Sequence, residues 1–389
     1  MTIYVRALAA AMARLGVHTD VFTRASSSSR EIVELSPGVR VISMPAGPPT
    51  PLPKHKLRHH VGDFAAGLRA FALGQRVSYD LVHSHYWQSG LAGKRLAGMW
   101  GVPLVHSHHT LGKVKNRFLA PGDEAEPQTR LDGEAEVIES ADVLIASTDE
   151  EWKQLACLYG ASHDRLKTLH PGVDHAIFRP GDRARARSRL GLSDEAVMLY
   201  AGRIQPLKGL ELAVRAAEQL SGALDRRVVL LLVGGASGSG GEDEVTRLGD
   251  LAHKLGIADD VRLVGAQPHR DLPVFYRAAD VVVTCSYSES FGLAALEAHA
   301  CGTPVIGTAV GGLSHIVRDG ESGFLLDTRD PAEFAGRLKT VLSDDDLRAS
   351  FAVAAARSAQ AFSWDKTASL MLELYECLIE ESSPEACVC

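Results

Sequence analysis

Five short apolar runs, at residues 197–201, 228–233, 261–264, 280–284 and 304–307, alternate with stretches of helical spacing near 210–222, 243–255, 270–278, 292–301 and 313–318. Runs this short and this continuously apolar read as strands buried on both faces. A strand followed by a helix followed by a strand is a parallel crossover unit, and a series of them closes into a twisted sheet with helices on both faces. A last short run at 324–326 ends the series, and the chain from 331 reads as helical with breaks near 344 and 363.

A less regular alternation fills the first 160 residues: helix 3–15, strands 18–24 and 39–44, helix 55–73, strands 80–84 and 103–107, helix 131–140, strand 142–147 and helix 150–159. Residues 26–30 form a polar loop, and 112–130 is a long polar segment. Residues 45–54 are too rich in proline for regular structure, because each ring fixes φ and removes a donor. Two prolines and two glycines punctuate 170–181, which reads as an interdomain connection. The expected fold is α/β, with two doubly wound, Rossmann-like domains facing a cleft, one over 1–172 and one over 173–363.

A length of 389 residues suits two or three domains. The net charge of −7 argues against a general nucleic-acid binder. No run of 18 apolar residues predicts a transmembrane helix, and Met1–Arg6 lacks the layout of a signal peptide. The six cysteines, Cys157, Cys285, Cys301, Cys377, Cys387 and Cys389, fit neither a zinc site nor a disulfide framework. Cys285 and Cys301 sit in apolar contexts and read as inert core thiols, while Cys387 and Cys389 lie on a polar tail. The expected compartment is the reducing cytoplasm. The chain could pair as a homodimer.

Glu289 and Glu297 stand eight apart in Ser286–Glu297, the first at a turn after a strand, the second about two turns into the following helix. A carboxylate there can accept from sugar or ribose hydroxyls, and the free N–H groups of the helix can hold an anion. Spacing alone equally allows two solvated glutamates on an ordinary turn. Arg203 and Lys208, five apart after Gly202, could neutralise a diphosphate, or be ordinary surface cations. Gly234–Gly241 follows the next strand but lacks a P-loop lysine, so a flexible loop fits it better than a phosphate cradle. Val310–Leu313 also precedes a helix and is weak by itself.

His83, His85, His106, His108 and His109 cluster after two strands. Strand alternation splits them between faces and no carboxylate or cysteine joins them, so no metal site is expected. His109 reads as a sugar-facing or a structural histidine. Lys54, Tyr86, Thr110 and Arg130 come from four separate segments. Two cations, a phenol and a hydroxyl suit a phosphate monoester, although spacing cannot show that they converge.

Taken together, Gly202-Arg203…Lys208 and Ser288-Glu289-Ser290-Phe291-Gly292…Glu297 resemble the retaining glycosyltransferases of family four, which have the GT-B fold. Val82–Trp87 and His106–Thr110 resemble the D-inositol-3-phosphate glycosyltransferases of mycothiol biosynthesis and, more distantly, the sucrose-phosphate synthases. The likeness runs from Met1 to about Tyr375. It implies an acceptor-binding first domain, with a C-terminal helix of about 364–382 returning to it, and a nucleotide-sugar-binding second domain. It further implies that Arg203 and Lys208 bind the donor diphosphate and that Glu297 holds the ribose. Glu289 would contact the transferred sugar, with Phe291, Gly292 and Leu293 around it. Gln267 would lie where some relatives place an arginine against the base. His109 would face the donor sugar, and Lys54, Tyr86, Thr110 and Arg130 would hold the acceptor phosphate. His109, Arg203, Lys208 and Glu289 would form the catalytic set.

The implied donor is UDP-N-acetylglucosamine and the implied acceptor 1D-myo-inositol 3-phosphate, transferred with retention and without a covalent intermediate. No cofactor or catalytic metal is expected, since Arg203 and Lys208 can neutralise the leaving phosphates. The alternatives are a relative acting on another acceptor, such as a sugar phosphate or a specialised metabolite, and a nucleotide-sugar-binding protein without turnover. One departure is large. Relatives place a strand and a glycine-rich loop before the helix at which this chain opens. The expectation is a truncated, poorly soluble or weakly active chain, in which strands 18–24 and 80–84 either pair directly or face a gap.

Overall fold

The computed structural model describes residues 1–238 and 240–382. Ser239 of the glycine-rich stretch and the tail residues Cys387 and Cys389 lie outside them. Two units form, one from residues 1–115, 126–172 and the chain from Trp364, the other from 116–125 and 173–363. The polar segment 116–125, placed by its sequence position in the first domain, thus groups with the second.

In the first unit, helix Thr2–Arg14 buries Tyr4, Leu8, Ala11 and Met12, the spacing of one helical face. It lies along helix Trp364–Ser382, and Arg14 pairs with Asp365 at 2.5 Å. Three strands follow: β1 (Thr19–Ala25), β2 (Glu31–Ser36) and β3 (Val39–Pro45). Their order is β1-β3-β2, with β1 parallel and β2 antiparallel to β3. β2 is absent from the sequence expectation. It shows no apolar–polar alternation, and five of its six residues are exposed, Ile32 and Val33 among them. The ladder to β3 holds it, not burial.

A second, fully parallel sheet carries β4 (Val82–His85), β5 (Leu104–Ser107), β6 (Val143–Ala146) and β7 (Leu166–Thr168) in that order. Of the two outcomes open to β1 and β4, direct pairing does not occur; they belong to separate sheets. The polar stretch after β5 also holds an unexpected short helix, Gly112–Arg117.

The second unit is one parallel sheet of six strands: β8 (Ala196–Ala201), β9 (Val228–Val233), β10 (Val261–Gly265), β11 (Val281–Thr284), β12 (Val305–Thr308) and β13 (Gly323–Leu326). The order is β10-β9-β8-β11-β12-β13. Every residue of β8 and β9 is buried, with Met198, Leu230 and Leu232 facing one core and Val197, Leu199 and Leu231 the other. Covered faces on both sides explain why these strands are continuously apolar. Cys285 and Cys301 are buried thiols whose pKa values burial pushes up to about 12. Among the described residues no helix is long and apolar enough to cross a membrane.

Candidate active site

The strand order of the second unit reverses between β8 and β11, so the loops leaving their C-terminal ends diverge there. Open α/β sheets bind ligands at such switch points. Gly202, Arg203 and Lys208 follow β8, and residues 285–292 follow β11. The Tyr287 N–H donates to the Leu207 carbonyl at 2.9 Å, tying the loops together. Thr308 Oγ1 donates to the Ser286 carbonyl at 2.7 Å, and Arg329 donates to the Cys285 carbonyl while lying 3.6 Å over the Tyr287 ring. The loop after β12 closes on the same segment. Gly312 N–H donates to the Glu289 carbonyl at 3.1 Å, and a Cβ on Gly311 (φ +53°) would stand 1.7 Å from that oxygen. Gly234 plays the matching part after β9, where a Cβ would stand 1.7 Å from the Gly202 carbonyl oxygen. The first glycine of the glycine-rich stretch therefore serves a contact between two backbones.

On this frame Lys208 Nζ donates to Glu289 Oε2 at 2.6 Å, and Ser286 Oγ approaches the same oxygen at 3.4 Å. Arg203 is exposed and makes no ion pair among the described residues; its carbonyl accepts from the Tyr200 hydroxyl at 2.6 Å. Lys208 is thus paired with a carboxylate within the loop frame, whereas among the described residues no carboxylate pairs with Arg203. Phe291 is buried, and Gly292 (φ +100°) opens helix Leu293–Ala300. The N–H groups of Ala295 and Leu296 return to the Gly292 carbonyl. The amides of Leu293 and Ala294 precede them at the helix N-terminus.

Glu297, one turn into that helix, is 6% exposed. Its Oε1 lies 2.6 Å from His269 Nε2, and its Oε2 accepts from the Tyr276 hydroxyl at 2.9 Å. Burial, then the Glu297 charge, raises the Tyr276 pKa well above its ordinary value. The phenol therefore stays a donor. Each carboxylate oxygen retains a second lone pair for an incoming hydroxyl. His269 and Tyr276 are absent from the sequence-derived set, although their spacing of two helical turns was available. Gln267 lies two residues before His269 and approaches the Val264 carbonyl at 3.4 Å.

In the first unit Tyr86, Thr110 and Arg130 converge. Arg130 Nη2 donates to Thr110 Oγ1 and to its carbonyl at 3.1 Å each, and its guanidinium lies 5.2 Å over the Tyr86 ring. Arg130 is only 4% exposed and is held from both sides, by Glu134 at 2.7 Å and Glu126 at 2.8 Å. These are its i+4 and i−4 neighbours. Glu134 also accepts from Gly112 N–H and the Tyr159 hydroxyl, and Glu126 from Lys115. Burial alone would raise the Glu126 pKa; the Lys115 hydrogen bond and the Arg130 charge outweigh it and hold the carboxyl below its ordinary range. Tyr86 adopts φ +74°, an unfavourable conformation for a tyrosine, as its N–H reaches back to the Ser107 carbonyl. Lys54 opens a short helix, and its carbonyl accepts from Gln88 Nε2 at 2.6 Å, two residues beyond Tyr86.

The histidines divide between the two faces of the sheet. His83 bonds Ser107 and Tyr375, and His85 Nδ1 meets His109 Nε2 at 3.0 Å. His106 bonds Ser84 and lies against His108, whose two ring nitrogens have no partner among the described residues. Tyr4 stands edge-on to His109 with ring centroids 4.9 Å apart. Burial keeps all five neutral and lowers His85 and His108 to about 3. Among the described residues no three His, Cys, Asp or Glu side chains are grouped to hold a metal ion.

Switch-point loops that present a bare arginine, a lysine–glutamate pair and a shielded carboxylate suit a ligand that is part phosphate and part sugar. Two parallel-sheet units with such a site define the GT-B glycosyltransferases. The family models agree: residues 1–172 match the glycosyl transferase 4-like domain and residues 182–358 match glycosyl transferases group 1. The chain belongs to glycosyltransferase family four. It is 49% identical over 387 residues to the D-inositol 3-phosphate glycosyltransferase of Acidothermus cellulolyticus, covering 98% of this chain and 86% of that one. Among solved structures, the sucrose-phosphate synthase of Thermosynechococcus elongatus superposes with a TM-score of 0.88 at 34% identity, over 97% of this chain and 92% of that one. The Anabaena HepE protein in complex with UDP gives 0.69 at 25% identity, over 81% and 82%.

Proposed function

We propose that this glycosyltransferase moves N-acetylglucosamine from UDP to 1D-myo-inositol 3-phosphate with retention of anomeric configuration. The observation that carries the acceptor is the convergence of Tyr86, Thr110 and Arg130, a buried guanidinium between a hydroxyl and a phenol. A phosphate monoester there would exchange with Glu126 for the Arg130 fork. The inositol-phosphate relatives, similar over nearly the whole chain, support the same acceptor. The relative solved with UDP supports a uridine nucleotide as donor.

In this proposal Glu297, aimed by His269 and Tyr276, accepts from the ribose hydroxyls. Arg203, with Lys208 and the first amides of helix Leu293–Ala300, stabilises the charge that develops on the leaving diphosphate. The acceptor hydroxyl attacks on the face from which the diphosphate departs, and a leaving phosphate oxygen takes its proton. No side chain forms a covalent intermediate and no metal need bridge the phosphates. Likeness to a sucrose-phosphate synthase favours a second reading, a hexose phosphate as acceptor. Mass spectrometry of products from a panel of UDP-sugars against inositol and hexose phosphates separates the two. An inositol phosphate glycoside is the expected product. Its absence beside a sugar-phosphate disaccharide selects the second reading, and no product with any pair defeats both.

A further inference from the structure

At the N-terminal end of the second unit's sheet, four guanidiniums surround one carboxylate. Asp280, the residue before β11, is fully buried. Its Oδ2 accepts from the Val197 N–H at 2.8 Å and from Arg187 at 2.9 Å. Its Oδ1 faces Arg183 at 2.5 Å, Arg348 at 3.3 Å and Arg226 at 3.8 Å. Arg187 is consumed by the fold, because it also donates to the carbonyls of Ala278, Ser193 and Glu195. The other three are not. Arg183 makes one further bond, to the Ala279 carbonyl, and Arg226 one, to Leu342. Arg348 adds the Val341 carbonyl and the Asp345 carboxylate. A guanidinium has five N–H groups, so each keeps donors for another acceptor.

By direct ion pairing, four guanidiniums share two carboxylates, Asp280 and Asp345. Three other carboxylates accept backbone N–H groups, Asp182 from Arg185, Asp344 from Leu347 and Glu195 from Ser193, and among the described residues none of them forms an ion pair with Arg183, Arg226 or Arg348. Asp345 is the exception, with a side chain 84% exposed. The Arg348 hydrogen bond first, and then the charges of Arg348, Arg226 and Arg183, hold its carboxyl below the ordinary range. Among the described residues its one ion pair is to Arg348, so it acts as an exposed internal anion at the edge of the cluster.

We propose that Arg183, Arg226 and Arg348 form a binding site for a phosphate-type oxyanion, which takes the place of the Asp345 carboxylate. Planar guanidinium forks match the oxygens of a tetrahedral anion, and an anion between them offsets their mutual repulsion. Free phosphate and the terminal group of a phosphate ester share that chemistry. The site is not the donor site: it lies at the start of β8 and β11, and the donor loops leave their far ends, roughly 15–20 Å away at about 3.3 Å per residue.

The test is the melting temperature of the full chain in inorganic phosphate, inorganic pyrophosphate and glucose 6-phosphate, each against chloride at equal ionic strength. A rise of about 2–4 °C over chloride is expected for at least inorganic phosphate. Arg226→Gln and Arg183→Gln should each lose most of it, and Arg185→Gln, an exposed arginine of the same helix as Arg183, should keep it. A rise only with the ester would assign an organic phosphate. Asp345→Asn should bind phosphate more tightly by calorimetry than the parent, and Asp346→Asn should not. Should the arginine variants fail to fold, that carboxylate pair decides alone. No rise with any of the three, a rise that Arg226→Gln and Arg183→Gln keep, or equal affinity in Asp345→Asn and the parent would each overturn the site and leave the proposed transfer reaction untouched.

Discussion

Lys208 Nζ and Glu289 Oε2 lie 2.6 Å apart, joining the loop that leaves β8 to the loop that leaves β11. The pair is partly exposed, with side chains 15% and 23% accessible, so its worth to stability is small, about 0–1 kcal/mol. Its worth to the reaction should be larger. Lys208→Met is expected to lower kcat by about 10²–10³, as losing one preorganised donor to a developing negative charge does. The melting temperature should change little. Steady-state release of UDP with acceptor present measures it, and an unchanged kcat would make the pair a structural tie alone.

Glu297 is held at both oxygens, and its aim depends on His269 and Tyr276. Glu297→Ala should weaken donor binding by roughly 1–3 kcal/mol. Tyr276→Phe removes one orienting bond while keeping the ring, and should weaken it less. Calorimetric titration with UDP ranks the variants. Equal donor affinity in Glu297→Ala and the parent would remove the ribose from this carboxylate.

Arg130 sits between two glutamates, and only Glu126 is reachable by solvent to any extent, at 19% against 0% for Glu134. Arg130→Ala should raise KM for a phosphorylated acceptor far more than for its unphosphorylated counterpart, with Lys54→Ala acting likewise but more mildly. Glu126→Gln, which releases the fork, should lower that KM. Parallel changes on the two acceptors would take the phosphate away from Arg130.

The buried histidines make the first unit sensitive to acid. His85 and His108 have folded-state pKa values near 3, lowered chiefly by burial, against about 6.5 when unfolded. Between these values the unfolded chain binds protons that the folded chain refuses. Stability therefore falls as pH drops below about 6.5, by about 1.4 kcal/mol per pH unit for each histidine, until pH nears 3. Urea unfolding at a series of pH values reads the slope, and His108→Gln should flatten it. A slope unchanged by that substitution would mean that other groups cause the loss.

Burial decides which parts of this fold are legible in the sequence. β8 and β9 are covered on both faces, and their apolar runs announce them. β2 is exposed on both faces and held by its ladder, so nothing in Glu31–Ser36 marks it as a strand. Short helix Gly112–Arg117 escapes for a related reason. Its first N–H is satisfied by Glu134, a residue from another helix, and no local pattern shows that. In the site, Glu134 stands one helical turn after Arg130 on helix Gln128–Ser140, a spacing open to inspection, as is that of His269 and Tyr276; Glu126 lies before that helix, beyond Pro127, and no helix spacing marks its pairing. That Tyr86 and Thr110 meet Arg130 was not visible, because tertiary packing alone brings those segments together.

The two sheets of the first unit share no ladder, since β1 and β4 do not pair. Backbone hydrogen bonds are what couple neighbouring strands into a single cooperative opening event. Without them, amide exchange should resolve the region into two blocks, β1 to β3 opening at one free energy and β4 to β7 at a higher one, β5 and β6 being flanked on both sides. The histidines at the strand ends would then remain shielded through excursions that already expose β1.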